Sequence, residues 1–149
     1  MAKIDLETEA VLRKVLYAAI KEDDASFEKH LESFASGDAL IAACARASEV
    51  AALIIAEQYK GRPTPEMVTR LADFSAQVNE GWSGITSSDF ASFIDAILED
   101  TPLDNVLPVG VAIRVPFVLA AQLMVQFKNP GTTGFDYLDH LWEVLETRD

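Results

Sequence analysis

Residues Val106 to Phe127 form a run of 22 residues that is almost all apolar yet contains Pro108, Gly110, Arg114 and Pro116. About 20 apolar residues in a helix are enough to cross the hydrocarbon core of a bilayer. A guanidinium near the middle and two prolines, each without a backbone N–H to donate, make this run a poor spanning helix. It reads instead as the kinked central helix of an all-helical domain that hides it in its own core. No membrane association is expected.

A chain of 149 residues suits one domain and can bury about 70% of the surface its unfolded form exposes. Half of its residues are hydrophobic and 24% are charged, the balance of an ordered globular chain rather than a disordered one. The net charge is −12, which repels phosphate backbones and anionic membrane surfaces and argues against nucleic acid as a partner. The acid is uneven: nine acidic against five basic residues in 1–38, five against four in 39–85, and ten against three in 86–149. Such a surface favours a basic protein partner. Cys44 is the only cysteine, so no internal disulfide and no thiolate metal cluster can form. The opening Met-Ala-Lys-Ile-Asp-Leu-Glu lacks a basic stretch followed by an apolar core, which makes the cytoplasm the expected location.

Helical periodicity recurs along the whole chain, and no segment alternates strictly between apolar and polar residues. The expectation is an all-α, single-domain bundle of about seven helices spanning residues 1–149. Two long, nearly buried helices, about 39–59 and 103–127, form its centre and shorter amphipathic helices surround them. The first helix should run from Leu6 to Glu22, capped by Asp5 or Thr8. A short one begins near Ser26 and displays Phe27, Leu31 and Phe34 on one face; Gly37 ends it in the left-handed conformation, and Asp38 caps the alanine-rich helix that follows. Thr64-Pro65-Glu66 is the clearest start signal, combining a cap, a proline at the first helical position and an acid in the first turn. Met67, Val68, Leu71, Phe74 and Val78 are its expected buried face, and it should end before Gly81. A fifth helix from Ser87 or Ser88 carries Phe90, Phe93, Ile94, Ile97 and Leu98 inward. The last, about Phe135 to Glu146, is capped by Thr133 with Asp136 at its third position, and buries Leu138, Leu141, Trp142 and Leu145. Residues 25–54 and 88–117 resemble each other weakly at an offset of 63, pairing Phe27 with Phe90 and Leu31 with Ile94, which suggests a duplicated helical unit.

Among candidate sites, Arg114 has mostly apolar helical neighbours, so its charge must be paired or used. It can pair with a carboxylate such as Glu49, Asp89 or Asp95 at the edge of the buried face, the favoured reading. It can also clamp the head group of an amphipathic anion in an apolar pocket. Trp82, flanked by Gly81 and Gly84, reads as an aromatic anchor on a contact loop. Asp136, His140 and Glu143 recur at i, i+4 and i+7 and are a weak candidate metal face, while Asp136, Asp139 and Glu143 offer an acidic contact surface. His30 and Cys44 read as structural residues, and no nucleotide-binding motif is present. No cofactor is implied.

The leading expectation is a non-enzymatic acidic helical protein that binds a basic protein, in an adaptor, inhibitor or immunity-type role. The alternatives are a ligand-binding module built on Arg114 and, more weakly, a metal-dependent hydrolase centred on His140. A second subunit could equally cover the alanine-rich helix, which leaves a homo-oligomer open.

Overall fold

The computed structural model describes residues 4–148, all helix and connection with no strand among them. In chain order the elements are α1 (Leu6–Ile20), α2 (Asp24–Leu31), α3 (Gly37–Gln58), α4 (Pro65–Ser83) and α5 (Ser87–Glu99), then a 3-10 turn (Leu103–Asn105), α6 (Val109–Phe127) and α7 (Gly134–Arg148). The expected all-α bundle is therefore the observed one. Helix α6 is the axis, packing against α1, α3, α4, α5 and α7. From Val115 to Met124 nearly every side chain of α6 is buried, Phe117, Leu119 and Leu123 completely. A helix that is apolar all round needs neighbours all round, and these supply them.

Most start signals act as the residue types dictate. Asp5 caps α1 by accepting the Thr8 N–H at 2.7 Å, and Thr64 caps α4 with Pro65 at the first position. Thr86 and Asp89 form a reciprocal capping box at the start of α5, and Thr133 with Asp136 does the same for α7. Gly134 is buried where α7 meets the end of α6, and a Cβ there would lie 3.4 Å from Val125 Cγ2. That is an ordinary van der Waals separation, so α7 packs closely on the end of α6 without the position demanding glycine.

Several boundaries differ from expectation. Gly37 does not terminate α2: it is the first residue of α3, and Ser36 rather than Asp38 is the cap. Pro108 does not disrupt α6 but precedes it as the N-cap, so the helix begins at Val109. Pro116 lies inside and leaves the Ala112 carbonyl without its helical donor. Helix α4 runs through Gly81 to Ser83 and ends at Gly84, whose φ of 70° supplies the left-handed cap.

The buried face of α4 is also rotated from the expected one. Val68, Leu71, Ala72, Ser75, Ala76 and Asn79 are inside, whereas Met67, Phe74 and Val78 remain partly exposed. A face of small residues lets α4 lie close against α5, which contributes the fully buried Phe90 and Phe93. Large apolar residues on one helix are thus set against small ones on the other. Helix α3 is less enclosed than its alanine content suggests: Ile41 is 68% exposed.

Candidate functional site

An open apolar groove of about 890 Å³ runs along α3 and the N-terminal half of α6. Its α3 wall carries Leu40, Ile41, Cys44, Ala45, Ser48 and Ala52. The opposite wall carries Val109, Ala112 and Ile113 of α6, with Ile97 of α5 at the base of the connection. Val109 is 70% exposed, so the groove presents large apolar residues to water at both lips. Glu49, Asp100 and Asp104 also line it, and no Lys, Arg or His is among the lining residues. Asp100 and Asp104 form no ion pair with the described residues.

Local structure puts these acids there. Asp100 is the C-cap of α5 with φ 55°, a left-handed geometry that Asp tolerates better than most residues. The chain then enters Thr101-Pro102 and the 3-10 turn that carries Asp104. Cys44 faces the groove with its Sγ 3.6 Å from the Ile113 carbonyl oxygen. Burial pushes its thiol up to about 12, so it is no nucleophile near neutral pH, in keeping with the structural role expected of it.

Arg114 does not line the groove. Its Nε and Nη2 grip the two oxygens of Glu28 at 2.6 and 2.8 Å, and Nη1 donates to the Gly110 carbonyl at 2.9 Å. The ion pair that the sequence favours is present, but the partner is Glu28 of α2 rather than Glu49, Asp89 or Asp95. The hydrogen bonds to Glu28 raise the guanidinium pKa further. This fork–fork geometry commits the guanidinium to Glu28 and the α6 backbone rather than to the groove. The deeply buried guanidinium is instead that of Arg46, 2% exposed, with its plane 5.0 Å from the Trp142 ring centroid and Nε 3.9 Å from Glu49 Oε1. The sequence signal existed, since Arg46 sits in an alanine-rich helix, but helix periodicity placed it in a polar stripe.

Trp82 is not on a loop. It occupies the last turn of α4, half-buried, edge-on to Phe27 at 5.4 Å, and donates its indole N–H to Asn79 Oδ1 at 3.0 Å. The loop expected around Trp82 is instead helix, because Gly84 and not Gly81 ends α4.

The acidic residues of α7 divide. Asp136 accepts the Thr133 N–H at 2.8 Å in its capping box, and Asp139 pairs with Arg13 at 2.8 Å, which leaves Glu143 exposed. Asp136 and His140 line a smaller polar hollow of about 310 Å³ with Glu57 and Tyr137, and Glu143 is not part of it. Asp136, His140 and Glu143 thus do not assemble as three ligands, and no group of three His, Cys, Asp or Glu among the described residues is placed to hold a metal ion. Helical spacing aligned them, but capping took one and the bundle surface separated another. No family model, curated protein or solved structure matches this chain.

Proposed function

We propose that this chain is a non-enzymatic binding protein that holds a basic protein partner, in an adaptor, inhibitor or immunity-type role. The observation that carries the reading is the groove between α3 and α6, an exposed apolar surface accompanied by carboxylates and by no cation. Apolar contact supplies the affinity of such an interface, and like-sign charge at its edge selects partners and speeds encounter. The net charge of −12 acts in the same direction over longer range. An anionic amphiphile held by Arg114 fits less well, because that guanidinium is engaged by Glu28 and lies outside the groove.

Affinity capture at low and high salt, comparing the native chain with an Asp100→Lys/Asp104→Lys variant, tests the reading. The expected result is a partner of high isoelectric point that is retained at low salt and lost both at high salt and with the variant. A partner that is acidic, or whose retention ignores both salt and the substitutions, overturns it.

A further inference from the structure

We infer that the occupant of the α3–α6 groove is an amphipathic helix of the partner, with an apolar stripe flanked by Lys or Arg. This rests on the binding reading above and goes further by assigning the form and chemistry of what is bound.

The shape of the floor argues for a helix. Along α3 the lining residues extend from Gly37 to Ala52, which at the α-helical rise is a track of about 22 Å, or four turns. Ile41, Cys44 or Ala45, Ser48 and Ala52 recur at the three- and four-residue spacing of a helix–helix seam. Apart from Ile41 they are small, as are Gly37 at one end and Ala112 across the groove. Small side chains allow a second helix axis to approach within the 8–10 Å of close helix packing. Ile41 and Val109, both largely exposed, then stand as ridges on either side of the occupant.

Other peptide forms are poorly served. An extended strand gains its affinity by hydrogen-bonding to an open sheet edge, and the described residues contain no strand. A polyproline segment docks on aromatic rings, and no aromatic residue lines this groove.

Charge fixes the sign of the occupant. Asp100 and Asp104 are available to pair with cations, and an anionic amphiphile meets repulsion with no compensating Lys or Arg. A second copy of this chain, at net charge −12, brings its own excess of carboxylate to the same edge. A basic amphipathic helix satisfies both the apolar floor and the acidic margin.

Selection from a displayed library of random peptides about 16 residues long, enough to fill four turns, tests the inference with the full-length protein as bait. The selected sequences should place apolar residues at i, i+3 or i+4, and i+7, with Lys or Arg beside them, and should gain helical circular dichroism on binding. Ala45 is exposed, so Ala45→Trp fills the groove without entering the core. It should weaken selected peptides by about tenfold or more through steric exclusion. Asp100→Asn with Asp104→Asn should weaken them roughly threefold and flatten the salt dependence, as expected for exposed ion pairs. If thermal unfolding shows Ala45→Trp to be misfolded, Ile41→Glu on the exposed lip replaces it. An empty selection, selected sequences that are acidic or proline-rich, or peptides that bind both groove variants as tightly as the native chain overturn the inference. Should a basic partner still be captured in a carboxylate-dependent way while these peptides fail, the helix assignment falls and the basic-partner reading stands.

Discussion

Asn79 ties the α4 helix to the α6 axis. It is 3% exposed, and its amide donates to the Ser75 carbonyl at 2.9 Å and to Gln122 Oε1 at 2.8 Å while accepting the Trp82 indole N–H. Replacing Asn79 with Ala should lower unfolding free energy by about 2 kcal/mol in a denaturant titration, because Trp82 and Gln122 each lose a buried partner. Ser75 lies on the same face, fully buried, and its hydroxyl has no hydrogen-bond partner among the described residues. Ser75→Ala should therefore be neutral or stabilising in the same measurement. Cys44 offers a test of burial through reactivity. With its folded thiol at about 12 against an ordinary 9.0, alkylation at pH 8 should be far slower in the native protein than in denaturant. The linked stability has a definite sign: the folded state holds the proton more tightly, so this contribution is complete below pH 9 and is lost between pH 9 and about 12. A thiol that alkylates at the same rate folded and unfolded would contradict the placement.

Among the helices, α5 shows how short-range chemistry sets a boundary that packing then exploits. The Thr86–Asp89 capping box satisfies orphan N–H groups at its start, and Asp89 adds negative charge where the helix dipole favours it. Thr86→Ala should cost about 1 kcal/mol by thermal or chemical unfolding. A loss near zero would mean that burial of Phe90 and Phe93 holds the turn without its cap. The caps at Asp5, Thr64 and Thr133 were legible from residue order because they act within three residues, whereas that at Thr86 was not read from it. The face that α4 buries was not legible, since hydrophobicity ranks Met67, Phe74 and Val78 above Ala72, Ser75 and Ala76. Close approach to α5 reverses that ranking. Ending α4 at Gly81 failed for a related reason: two glycines lay within reach, and backbone conformation selected Gly84.

Across the molecule, 24 acidic residues stand against 12 basic ones, and the repulsion among the excess carboxylates opposes compaction. Raising salt from about 20 to about 300 mM should therefore increase the melting temperature by a few degrees as this repulsion is screened. A melting temperature that falls with salt would show that local ion pairs such as Arg13–Asp139 and Arg114–Glu28 outweigh the net charge. The fold class, the number of helices, most of their starts and the central place of α6 were all readable from residue order. Periodicity, capping and the need to bury a long apolar run are local or compositional properties. Which carboxylate Arg114 holds, which arginine enters the core, and where the groove along α3 and α6 lies depended on the assembled bundle. Glu28 and Arg114 stand 86 positions apart, and Arg46 meets Trp142 from the other end of the chain. Helical spacing reports which residues share a face. Which neighbour covers that face, or leaves it open to a partner, is settled when all seven helices pack together.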